Sequence, residues 1–129
     1  MKRILDELYN TLNKYIEATN SHNFDNVVKC IDKNAIYWFS NKNCSTTEDI
    51  RSFFTNTWNI IKEEKYTAEN CEWIAVSDSV ATCIYNYKWE GIIDGVKKNG
   101  GGRATNIFRK TDGYWLLIHE HLSPAPTNQ

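Results

Sequence analysis

The sequence predicts an α+β fold in which a curled antiparallel sheet is wrapped on one side by three helices. Three observations carry that reading. Apolar residues at three- and four-residue spacing are confined to the first half of the 129-residue chain. Four long segments rich in Val, Ile, Thr, Tyr and Trp fill the second half. Turn signals fall between those segments. Helices segregated before a run of antiparallel strands define the α+β class.

Residues 3–20 form the first expected helix, with Ile4, Leu5, Leu8, Leu12, Tyr15, Ile16 and Thr19 on one stripe. Asn20-Ser21-His22-Asn23 breaks it. Phe24, Val27, Val28 and Ile31 mark a second, short helix over 24–32 with Asn23 as its cap. After the turn Asp32-Lys33-Asn34, Ala35-Ile36-Tyr37-Trp38-Phe39 reads as the first strand, and Asn41–Cys44 as a loop. Ser45 followed by Glu48 fits a capping box for a third helix over 47–62, carried by Ile50, Phe53, Phe54, Trp58 and Ile61. The charged run 62–65 ends it.

Residues 66–76, 79–91, 101–110 and 114–122 then read as a four-stranded meander, giving about five strands in all. Ser77-Asp78, Asp94-Gly95 with Asn99-Gly100-Gly101-Gly102, and Thr111-Asp112-Gly113 are the expected turns. Strands of roughly ten residues exceed the usual five or six and must twist and curl. A curled sheet with helices on one side leaves a pocket between them. The whole of 1–129 reads as one domain.

Composition removes several function classes. Fifteen basic residues balance sixteen acidic ones, and no basic cluster is present, so nucleic acid is not an expected partner. No apolar run approaches the ~18–20 residues of a membrane helix, and Met1–Glu7 is not followed by a secretory apolar stretch. Cys30, Cys44, Cys71 and Cys83 are widely spaced, which suits reduced thiols in a cytoplasmic protein. Aromatic residues reach 13%, more than a core of this size usually uses.

The run Gly102-Arg103-Ala104-Thr105-Asn106-Ile107-Phe108-Arg109-Lys110-Thr111-Asp112-Gly113-Tyr114-Trp115-Leu116-Leu117-Ile118-His119-Glu120-His121-Leu122-Ser123 resembles the closing hairpin of the SnoaL-like branch of the nuclear transport factor 2-like superfamily. Lys14–Asn20, Asp25 and Ala35 resemble that superfamily's first helices and first strand. The resemblance implies a cone-shaped sheet. It leaves the activity open, because the superfamily hosts isomerases, cyclases, dehydratases and non-catalytic association domains.

The resemblance also implies facings that strand period alone does not assign, since both faces of 114–122 carry apolar residues. It points Ile118, Glu120, Leu122, Asn106, Tyr85, Tyr87 and Trp89 into the cone, with Tyr15, Phe39, Phe54 and Trp58 closing it from the helical side. His119 and His121 then lie on the convex face, a common dimerisation surface in these proteins.

Glu120 is the sharpest catalytic candidate. A carboxylate among Ile118, Leu122 and aromatic rings is desolvated, which raises its pKa toward the range of a general acid or base. The alternative is a rim glutamate paired with a cation. Tyr15 matches the tyrosine that donates to the substrate oxygen in ketosteroid isomerases, a system whose acid–base arrangement is well described; it also sits on the apolar stripe, where a core role is equally natural. The isomerase pattern departs at Phe39, which stands where the catalytic aspartate is expected, and at Asn106, which replaces a second acid. Asn106 can still orient a ligand's oxygen.

His119 and His121 lack a third metal ligand, and Gly100-Gly101-Gly102 reads as a hairpin turn and not a phosphate loop. Arg103 is expected either to clamp a ligand carboxylate at the pocket mouth or to pair with Glu90. The expected function is binding of a small apolar or aromatic molecule without a cofactor, with acid–base catalysis by Glu120, Tyr15 and Asn106. The alternative is a non-catalytic ligand-binding or association module. A homodimer through the sheet face is the expected assembly.

Overall fold

The computed structural model describes residues 2–126. Met1 and residues 127–129, which the one-domain reading of 1–129 includes, lie outside the described residues. The order is α1 (Lys2–Asn20), α2 (Phe24–Val28), β1 (Ile31–Phe39), β2 (Lys42–Cys44), α3 (Thr47–Ile60), β3 (Lys62–Val76), β4 (Val80–Ile93), β5 (Val96–Thr111) and β6 (Tyr114–Pro124). The expected α+β class and meander are present, but among the described residues the strands number six and not about five. They form one sheet in the order β2-β1-β6-β5-β4-β3. Every pairing is antiparallel except β1 with β6, which is parallel. No helix among the described residues is long and apolar enough to cross a membrane.

The extra strand comes from the segment expected to be a loop. Ser40-Asn41 makes a two-residue turn that folds Lys42–Cys44 back on Tyr37–Phe39. The sequence pattern also missed the start of β1. The helix expected over 24–32 stops at Val28, and the chain is extended from Ile31. Ile31 is buried beside its register partner Leu117, a packing gain that another helical turn would forfeit. Asn23 does cap α2, its side chain accepting from the Asp25 amide. The α3 cap is Thr46, which accepts from the Asp49 amide, and not Ser45.

The helical stripe packs as expected. Leu8, Leu12, Tyr15 and Ala18 of α1 and Ile50 and Phe54 of α3 are buried against the concave face, where Ala81, Cys83, Ala104, Phe108 and Leu117 meet them. Each fully buried large apolar side chain contributes about 1.5–3 kcal/mol by removal from water.

Two irregularities shape the cone. The first is a bulge in β6. Ile107 pairs with His119 and Phe108 with Leu117, so Ile118 is an extra residue. The bulge reverses the alternation: Trp115 and Leu117 face the core before it, and Glu120 after it. Ile118, expected inside, is therefore half-buried and does not border the cavity.

The second concerns the glycines expected in a hairpin turn. Asp94-Gly95 alone makes that turn, with both residues at positive φ. Gly100, Gly101 and Gly102 lie inside β5. A Cβ on Gly100 would stand 2.7 Å from the Trp89 indole nitrogen, and one on Gly102 would collide first with the Ser123 backbone carbonyl of β6 and then, at 2.8 Å, with the Tyr87 ring. The bare backbone makes room for two aromatic rings of the neighbouring strand.

Candidate functional site

The concave face and the helices enclose a cavity of about 210 Å³. Its base is built from polar groups in an apolar setting. Glu120 is 3% exposed. Tyr15, on the apolar stripe of α1, donates its hydroxyl to Glu120 Oε1 at 3.0 Å. The same oxygen of Tyr15 lies 2.7 Å from the Tyr37 hydroxyl, so Tyr37 donates to Tyr15. Asn106, the register partner of Glu120 on β5, is fully buried. With its amide nitrogen toward Glu120 it donates to Oε1 at 3.3 Å and to the Thr105 carbonyl at 3.0 Å.

These contacts favour the carboxylate, but burial outweighs them. Desolvation lifts the Glu120 pKa to about 7, while the hydrogen bonds from Tyr15 and Asn106 pull it down. Burial, reinforced by the charge of Glu120, pushes the Tyr15, Tyr37 and Tyr85 hydroxyls well above the usual tyrosine range. They stay protonated donors at neutral pH.

Aromatic rings make the walls. Phe39, Phe53, Phe54 and Trp58 line the side formed by β1 and α3. Phe39 stacks on Phe53 at 3.6 Å, and Phe54 meets Trp58 edge-on at 5.5 Å. Tyr66, Tyr87 and Trp89 line the opposite side, with Tyr66 and Tyr87 stacked at 5.6 Å. Leu122 completes the lining beside Glu120.

Most of the expected site residues converge here. Tyr15, Phe39, Phe54, Trp58, Tyr87, Trp89, Glu120 and Leu122 all border the cavity. Two others are placed one layer back. Asn106 touches Glu120 but not the cavity, and Tyr85 stands behind Tyr66, their hydroxyls 3.2 Å apart. Arg103 is exposed on the other face of the sheet, opposite Asn86 and Ser123. It forms no ion pair among the described residues, with Glu90 or otherwise.

Sequence reasoning did not single out Tyr37, which it placed only within the first strand, or Tyr66. It also missed Glu64, which sits in the charged run after α3 and borders the cavity. Glu63 takes a positive φ, and the β3–β4 register shifts between Lys62 and Lys65. That bulge turns Glu64 inward, where burial raises its pKa to about 7. His22, at positive φ between α1 and α2, fixes the same corner. Its ring stacks on Trp58 at 5.4 Å, and Nε2 lies 2.7 Å from the Glu64 carbonyl oxygen. No group of metal-ligating side chains occurs among the described residues.

Residues 8–127 match the SnoaL-like domain family. The chain belongs to that family. The SnoaL-like fold is shared with solved structures of low sequence identity. One is a nuclear transport factor 2-like superfamily protein from Salmonella enterica, 12% identical, with 99% of this chain and 95% of that one covered at a TM-score of 0.90. Another is the association domain of C. elegans CaMKII, 14% identical, with 95% and 96% covered at a TM-score of 0.76. A third is a proposed scytalone dehydratase from Novosphingobium aromaticivorans, 10% identical, with 97% and 95% covered at a TM-score of 0.82. No curated protein matches. At these identities the neighbours establish the SnoaL-like fold alone.

Proposed function

We propose that this SnoaL-like protein binds a small molecule in the aromatic cavity and performs acid–base chemistry on it with Glu120. The observation that supports this most is the position of Glu120: a desolvated carboxylate at the base of a ring-lined cavity, held by a tyrosine hydroxyl at 3.0 Å. Its pKa of about 7 lets it take up and return a proton near neutral pH. The Tyr15 hydroxyl, itself held by Tyr37, gives its one proton to Glu120 while that group is ionised, and once Glu120 has taken the substrate's proton it is free to turn to the substrate oxygen. Asn106 acts as a positioning residue behind the carboxylate. The chemistry that fits is removal of a proton from carbon next to a carbonyl, as in isomerases, cyclases and dehydratases. The cavity is smaller than the about 300–1,000 Å³ of drug-sized sites, so the substrate is small.

The test is proton exchange in heavy water. Small aryl alkyl ketones and arylacetaldehydes are incubated with the protein, and deuterium incorporation beside the carbonyl is followed by NMR. Exchange that depends on Glu120 supports the reading; equal exchange by the Glu120→Gln variant overturns it.

A homodimer through the convex face of the sheet is the assembly we propose. Trp38 and Ile36 on β1 are 46% and 42% exposed, and they lie across from His121 and His119 on β6. Apolar side chains in a contiguous exposed group of this kind mark an interaction surface.

A further inference from the structure

The cavity combines two features that its proposed catalytic role does not require together. Its walls are aromatic rings, from Phe39, Phe53, Trp58, Tyr66, Tyr87 and Trp89. Its charged lining is of one sign. Glu120 and Glu64 border it, and no Lys, Arg or His side chain does so among the described residues.

The two carboxylates differ in what they have left to offer. Glu120 Oε1 is engaged by Tyr15 and Asn106. The Glu64 carboxylate has no ion pair and no side-chain hydrogen bond among the described residues. Its backbone carbonyl, and not its side chain, meets His22. Lys62 and Lys65, its neighbours on β3, are exposed, as is Glu90 on β4. A half-buried carboxylate that has no protein partner and opens into a cavity is left available to a cationic guest. Aromatic faces attract the same kind of guest, since the ring quadrupole favours a cation within about 6 Å of the centroid.

We propose that the cavity is selective for small organic cations: amines with an apolar or aromatic body, whose nitrogen meets Glu64 and the π faces beside it. The proposal rests on the small-molecule reading above and names the ligand class for that same cavity. Glu120 stays free to exchange a proton, because the positive charge is neutralised by the other carboxylate. The rings supply the contact area and Glu64 the sign preference, so shape and charge are read by different residues.

Three probes of nearly equal size separate the possibilities: 2-phenylethylamine, 2-phenylethanol and phenylacetate. Binding is measured by calorimetry and by tryptophan fluorescence, to which Trp58 and Trp89 report. At pH 8 the amine is charged and Glu64 is mostly ionised. The amine is expected to bind roughly tenfold or more tighter than the alcohol, and phenylacetate weakest. Glu64→Gln is expected to remove most of the amine's advantage over the alcohol, with thermal melting reporting that the variant is folded. Equal affinity of amine and alcohol in the natural protein overturns the cation preference but leaves small-molecule binding standing. Binding of none of the three overturns both. An amine preference that survives Glu64→Gln overturns the assignment to Glu64.

Discussion

Tyr37 and Glu120 are register partners across the parallel junction of β1 and β6, and they are joined through a third residue. Tyr37 donates to the Tyr15 hydroxyl at 2.7 Å, and Tyr15 donates to Glu120 at 3.0 Å. A chain of two hydroxyls thus ends on a buried carboxylate. Each donor in such a chain polarises the next, and the carboxylate accepts a stronger bond than a lone tyrosine would give.

Removing the middle hydroxyl tests this relay. In Tyr15→Phe, Glu120 loses the hydrogen bond that most lowers its pKa, while its burial persists. A hydrogen bond to a charged group is worth about 1.5–3 kcal/mol, so the Glu120 titration is expected to move up from about 7 by roughly one unit or more. Carbon-detected NMR of the labelled carboxyl reads the shift. An unmoved titration would show that Tyr15 is a packing residue and nothing more.

The raised Glu120 pKa also makes stability depend on pH. The folded-state value lies near 7 against an ordinary 4.5, so the native protein holds a proton between those values that the unfolded chain has lost. Stability is therefore fully present below about pH 4.5, falls as pH rises toward 7, and levels off above it. The fall attributable to Glu120 is on the order of 3 kcal/mol. Glu120→Gln, an uncharged isostere whose carbonyl can still accept from Tyr15, is expected to flatten most of this slope. Glu64 carries a shift of the same direction and leaves a residual one. Urea denaturation at pH 5 and pH 8 checks the sign; stability that rises over this interval in the natural protein refutes the desolvated state of Glu120.

Much of this site was legible in the sequence, for separable reasons. Tyr15 lies on a helical stripe, so periodicity alone turns it toward the core. Glu120, Tyr87 and Trp89 took their facings from the family resemblance, because period 2 does not choose between two apolar faces. What the sequence hid lies at breaks in period. The bulge at Ile118 reverses the alternation of β6, so the side chains before and after it follow opposite rules. The bulge at Glu63 does the same for Glu64, whose neighbours Lys62 and Lys65 made it look like solvated charge. A bulge is set by pairing with the next strand, and pairing is a tertiary fact. Gly100 and Gly102 misled in the opposite direction: Trp89 lies across the first, and the Ser123 backbone and Tyr87 crowd the second, so neither marks a turn of the chain.

That glycine pairing makes a prediction of its own. Gly100→Ala places a methyl group within 2.7–3.0 Å of three Trp89 ring atoms, closer than packed carbon and nitrogen atoms sit. The indole must move, at a cost of about 1–3 kcal/mol, and a wall of the cavity moves with it. In a Trp89→Val background the same substitution is expected to be nearly neutral. A double-mutant cycle read by thermal melting measures the coupling. Additive effects would mean that Gly100 serves the backbone and not the ring.

The convex face offers the test of assembly. Trp38 lies between His119 and His121, edge-on to both rings at 5.2 and 5.6 Å, and remains 46% exposed. Its register partner is His121, and Ile36 pairs with His119, so these four side chains form one patch over β1 and β6. Placing a carboxylate at its centre costs little in a monomer, because the site is already open to water. In a dimer built on this face, the same carboxylate would be desolvated without a fixed cation to pair with. Trp38→Glu is therefore expected to leave the melting temperature of the monomer nearly unchanged and to convert the dimer to monomer. Light scattering at several protein concentrations reads the difference. A natural protein that is monomeric at high concentration, or a Trp38→Glu variant that remains dimeric, would place the interface elsewhere or remove it.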